Sequence, residues 1–79
     1  MTYSMKATNN TTKLQQIRKA KGMTQLELSI YSRVKLRTIQ ELEQGRKDIN
    51  KAEALNVYNM AEALGVAISE ILEISDEEV

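Results

Sequence analysis

"TQLELSIYSRVKLRTIQELEQG", residues 24 to 45, decides how this chain folds. Thr24 and Glu27, three apart, form the reciprocal pair of a capping box. Met23 and Leu28 stand at the N′ and N4 positions of a hydrophobic staple. A helix opened this way ends near Ser32. Residues 33 to 35 turn, and another helix runs from about Leu36 to Gln44, closed by Gly45.

Two helices joined by so short a turn must cross steeply, which is helix-turn-helix geometry. The crossing needs small residues, and Ser29 and Ser32 supply them. It also needs buried apolar residues on both helices and just after the turn; Leu28, Val34, Ile39 and Leu42 fill those places. Arg33, Lys35 and Arg37 cluster at the front of the second helix, which then carries Glu41 and Glu43. Such a cluster either faces a polyanion or is a solvated helix face.

Outward from this pair, the punctuation predicts three more helices. Thr12 with Gln15 caps a helix from about Lys13 to Lys21, striped by Leu14 and Ile17 and stopped by Gly22. Asn50 with Glu53 is the expected cap of the fourth helix, whose apolar positions are Ala54, Leu55, Tyr58, Ala61 and Leu64 before Gly65. A short fifth helix covers about Ile68 to Leu72. Residues 1 to 10 read as a flexible polar arm, 11 to 74 as the domain and 75 to 79 as an acidic tail. The fold class is all-α, a compact five-helix bundle.

Composition narrows the function. Seventy-nine residues make at most one domain with a modest core. Cysteine and histidine are both absent, which removes disulfides, zinc sites and the commonest general base. No clustered carboxylates have metal spacing, so a hydrolase or nuclease is disfavoured; we expect no enzyme and no cofactor. No leader-like apolar segment or membrane-length run occurs, so the expected location is the cytoplasm. Net charge is zero, yet residues 1 to 50 carry +6 and residues 51 to 79 carry −6. A basic half fits a polyanion, or the two halves neutralise each other on folding.

From Leu14 to Leu72 the chain resembles the Cro/CI-type (Xre-like) helix-turn-helix domain of phage repressors and small bacterial regulators. The residues that carry the resemblance are "LQQIRKAKGMTQLEL" (14 to 28), "VKLRTIQELEQG" (34 to 45) and "ALGVAISEIL" (63 to 72). The resemblance implies a lambda-repressor-like bundle with the helix-turn-helix in helices two and three. It implies double-stranded DNA as partner, and a transcriptional regulator, a repressor, bound as a homodimer to a palindromic operator. Lys35, Leu36, Arg37 and Glu41 occupy the family's groove-facing positions, where Arg37 would read guanine and Leu36 would pack on a thymine methyl. Glu41 would accept from cytosine or orient Arg37; the bland alternative is an exposed Arg37–Glu41 ion pair. Thr24, Gln25, Gln44, Arg46, Lys47 and Lys51 match phosphate-contacting positions, although "GRKDIN" also reads as a solvated loop.

Arg18 and Glu43 correspond to the family's structural ion pair. Three positions depart from the pattern: Arg33 stands where Gly is usual, and Lys35 and Ala67 stand where Ser or Thr usually caps a helix. Ile30 and Tyr31 replace the usual charged residues and point either to a partner or to packing under the arm. Val57, Met60, Val66, Ile68, Ile71, Leu72 and Ile74 exceed what a small core can hide, so a homodimer through helices four and five is expected. The alternative is an antitoxin or other interaction module that grips a protein partner through its apolar end and acidic tail, with DNA binding secondary.

Overall fold

The computed structural model describes residues 11 to 73. These residues contain five α-helices, in order α1 (Lys13–Ala20), α2 (Gln25–Ser32), α3 (Leu36–Glu43), α4 (Ala54–Leu64) and α5 (Ile68–Ile71). A 3-10 turn (Ile49–Lys51) interrupts the long connection between α3 and α4. The described residues form an all-helical bundle without strands. The expected arm, Ile74 and the acidic tail lie outside the described residues.

The helices start and stop where backbone hydrogen bonds find partners. Thr24 and Glu27 form both halves of the capping box: the Glu27 N–H reaches the Thr24 hydroxyl at 3.0 Å, and the Thr24 N–H reaches the Glu27 carboxylate at 2.9 Å. Thr12 accepts from the Gln15 N–H at 3.3 Å, the forward half of its cap. Behind α3, Gly45 takes φ +78°. That lets its own N–H reach the Leu42 carbonyl and the Arg46 N–H reach the Glu41 carbonyl, the paired bonds of a Schellman ending. At the N-terminus of α5, the Glu70 carboxylate accepts from the Ala67 N–H at 3.1 Å; the alanine side chain has no oxygen to return the bond, and the Glu70 N–H goes to the Ala67 carbonyl at 3.0 Å instead.

Among the described residues, eleven buried apolar side chains make the core: Leu14 from α1, Leu28 from α2, Val34 from the corner, Ile39 and Leu42 from α3, Ile49 from the 3-10 turn, Val57, Met60, Ala61 and Leu64 from α4, and Ile71 from α5. Met23, the residue before the α2 cap, packs against this cluster.

Two expectations about the fourth helix need correction. Asn50 does not cap it. Asp48 caps the 3-10 turn by accepting from the Asn50 N–H at 2.9 Å, and α4 begins only after Glu53, which makes no side-chain cap bond. The burial of Ile49 explains the difference: the chain spends a short turn anchoring that side chain before α4 can start. The apolar stripe is also rotated. Val57, Met60, Ala61 and Leu64 face inward, whereas Ala54, Leu55 and Tyr58 are exposed. Both stripes have helical spacing, and only packing against α2 and α5 selects between them. No described helix is long and apolar enough to cross a membrane.

Candidate nucleic-acid interface

The corner between α2 and α3 sets the geometry. Arg33 closes α2 in the left-handed conformation, φ 64° and ψ 21°, as the one non-glycine residue with positive φ among those described. For a residue with a Cβ that conformation costs about 1 kcal/mol. Its N–H still reaches the Ser29 carbonyl at 2.8 Å. The two serines then fasten the corner through Val34. The Ser29 hydroxyl donates to the Val34 carbonyl at 2.7 Å, and the buried Ser32 hydroxyl accepts from the Val34 N–H at 3.2 Å. Their smallness is legible in the sequence; these two bonds are not.

α3 has one inward and one outward face. Ile39, Leu42 and Glu43 are buried. Helical spacing puts Arg37, Glu41 and Gln44 on the opposite face, with Gln40 at its margin. The Arg37 side chain is 87% exposed. Leu36 is half-buried on the flank rather than fully exposed as a groove-facing leucine would be. Lys35 begins the helix without a side-chain cap bond, leaving the first-turn N–H groups of α3 without that oxygen. Sequence reasoning misses Gln40, though its place three residues after Arg37 is the available signal.

Glu41 sits between two cations. Its carboxylate lies 3.2 Å from Lys47 Nζ and 3.6 Å from Arg37 Nε. The hydrogen bond from Lys47 holds its carboxyl below the usual carboxylate range, and the charge of Arg37 adds to the effect. Both Arg46 and Lys47 also donate their backbone N–H groups to the Glu41 carbonyl, at 2.9 and 3.3 Å. The loop cations are thereby held against the end of α3.

Glu43 does different work. It is buried and accepts from Arg18 Nε at 2.6 Å, Arg18 Nη2 at 3.0 Å and Gln25 Nε2 at 2.9 Å. Arg18 Nη1 donates to the Met23 carbonyl at 2.7 Å, and the Thr12 hydroxyl donates to the Glu43 carbonyl at 3.3 Å. One carboxylate thus ties α1, the entry to α2 and the end of α3 together. Gln25 belongs to this cluster, so only one of its two amide hydrogens is left for a phosphate. Thr24 spends its N–H and one acceptor site on the capping box and keeps its hydroxyl proton as a donor.

The remaining cations gather elsewhere. A groove of about 640 Å³ runs between the corner and the start of α4, and Arg33, Lys35, Thr38, Lys47 and Lys51 line it. Lys35, Lys47 and Lys51 are therefore brought together. Arg33, from the cation cluster at the corner, joins them, as does Thr38, which the sequence pattern does not single out. Thr24 and Gln25 stand at the far end of α2, about 12 Å away along an eight-residue helix. The described residues contain no group of carboxylates suited to a metal ion.

Comparison with curated proteins and with solved structures finds no match. A family model described as "Helix-turn-helix" matches residues 14–71, most of the chain, from the second residue of α1 through the end of α5. The chain belongs to this helix-turn-helix family, of Cro/CI (Xre-like) type, and is a DNA-binding regulator in general class.

Proposed function

We propose that the protein is a repressor that binds a palindromic operator as a homodimer. The observation that carries this reading is the position of Arg37: fully outward at the start of α3, 87% exposed, with cations before and after it in the chain. In this reading Lys35 and Arg37 meet base edges, Leu36 flanks them, and Glu41 orients Arg37. Thr24, Gln25, Gln44, Arg46, Lys47 and Lys51 meet phosphate. Base contacts give sequence preference, and phosphate contacts give register and salt dependence. Exposed Leu55, Tyr58 and Ile68 on α4 and α5 support a second copy as the partner on that side.

Selection from a random duplex library at stated salt tests the whole reading. The expected result is a two-fold motif with half-sites about 10 base pairs apart, centre to centre. An asymmetric single site overturns the dimer, and absence of any enriched motif overturns sequence-specific regulation. A second reading, an antitoxin-like interaction module, draws on Ile30 and Tyr31, which are each 63% exposed on α2. Co-purification with the product of a neighbouring gene, lost on Tyr31→Ala, favours that reading.

A further inference from the structure

Asn50 and Glu73 are joined in both directions. Asn50 Nδ2 donates to the Glu73 carbonyl at 3.0 Å, and the Glu73 N–H donates to Asn50 Oδ1 at 2.9 Å. The Glu73 carboxylate also accepts from the Lys13 N–H at 2.6 Å. The chain therefore leaves the described fold beside Asn50, one residue before Lys51. Beyond Glu73 the sequence continues as "ISDEEV", residues 74 to 79, with three side-chain carboxylates and no cationic side chain.

Lys51 lines the 640 Å³ groove together with Arg33, Lys35 and Lys47. Against these four cations the groove carries Asp48 and Glu53, leaving it positive by two. Lys47 is already held by Glu41. Among the described residues, Arg33, Lys35 and Lys51 have no ion-pair partner. Buried Val34 and Leu42 form part of the floor, which offers a low-polarity backing for charge pairs at the rim. Six extended residues reach about 20 Å, and Asn50 to Lys51 is a single Cα step of about 3.8 Å. Held so close, a short segment has an effective concentration on the order of millimolar.

We propose that residues 76 to 78 dock in this groove on their own chain and compete with DNA for Arg33, Lys35 and Lys51. The consequence for DNA rests on the function proposed above; the docking does not. DNA entering the corner displaces the acidic segment, so each displaced pair lowers both affinity and apparent salt dependence. Regulation by a partner or a protease that removes the segment would then raise affinity without touching α3.

The test uses the whole chain and the triple variant Asp76→Asn, Glu77→Gln, Glu78→Gln. The thermal midpoint of each protein serves as a control on folding. Without DNA, amide and side-chain NMR shifts of Arg33, Lys35 and Lys51 are expected to differ between the two proteins. The difference should be unchanged over a roughly tenfold range of protein concentration. With duplex DNA, the variant is expected to bind roughly tenfold tighter at low salt, with a salt slope steeper by about two. Unmoved groove shifts overturn the docking, whatever DNA does. Shifts that grow with protein concentration overturn the intramolecular form and assign the groove to another copy's tail. If groove shifts move but neither protein binds DNA, the docking stands and the regulator reading fails.

Discussion

Glu43, the last residue of α3, receives Arg18 Nε at 2.6 Å and Arg18 Nη2 at 3.0 Å, so that the presenting helix is bolted to α1 by a fork-to-fork pair. Gln25 adds a third donor from the first turn of α2. Losing one member leaves the other charge buried without its counterpart. Arg18→Ala or Glu43→Ala should therefore destabilise the fold by about 3–5 kcal/mol. For a domain of this size each kcal/mol lowers the melting midpoint by roughly 4–8 °C. The double variant Arg18→Met, Glu43→Leu should recover most of that loss, because no charge is left stranded. Calorimetry on the three variants decides it; a single variant that melts with wild type shows the pair to be ornamental.

Arg33 poses the opposite balance. Its left-handed backbone favours glycine, and its side chain lines the cation-rimmed groove. Arg33→Gly should stabilise the folded state by up to about 1 kcal/mol, read as a rise in denaturation midpoint. The same change should flatten the salt slope of DNA binding by about one unit, because one phosphate partner is gone. Gain in stability with loss of binding is the expected signature of a strained functional position. A stabilised variant with an unaltered slope removes Arg33 from the interface.

The corner itself is legible because its signals are local. The capping box at Thr24 and Glu27, the glycine at 45 and the length of the turn each constrain the backbone within a few residues. The Arg18–Glu43 pair can be anticipated only through resemblance, since its partners are far apart in sequence and nothing local couples them. The register of α4 is not legible. Leu55 and Tyr58 fit a helical stripe as well as Val57 and Met60 do, and the choice is made by α2 and α5 packing from the other side. Ile49 escapes notice for a related reason: a lone apolar residue in a charged loop has no periodicity to betray it. At the interface, residue types are readable, but the sharing of Glu41 between Arg37 and Lys47 depends on how the loop folds back after Gly45.

Glu41 gives a prediction with a sign in pH. Its carboxyl is held below the ordinary carboxylate range, chiefly by Lys47. A group depressed on folding contributes stability that is present above its unfolded value and is lost as pH falls through the folded one. Wild type should therefore lose a small stabilisation on acidification through and below the carboxylate range, and Glu41→Gln should lack that component. The comparison is a set of melting midpoints from neutral to acid pH. If the two curves run parallel throughout, the contact with Lys47 does not persist in solution.

The same residue separates affinity from preference in DNA binding. At neutral pH the Glu41 carboxylate offsets Lys47 and Arg37, so Glu41→Gln should raise binding to every duplex and steepen the salt slope by about one. Arg37→Ala should act differently. Removing a two-bond contact to a guanine edge should cost about 1–3 kcal/mol on the selected site and relax preference at one position. Lys47→Gln, which removes a phosphate partner, should weaken selected and random duplexes alike and flatten the slope by about one unit. Binding isotherms for the three variants on both duplexes, at several salt concentrations, separate these effects. The three outcomes differ because Arg37 projects from the outward face of α3 while Lys47 lies in the loop beyond Gly45. Should Arg37→Ala weaken all duplexes equally, Arg37 is a phosphate ligand, and base readout passes to Gln40 and Gln44.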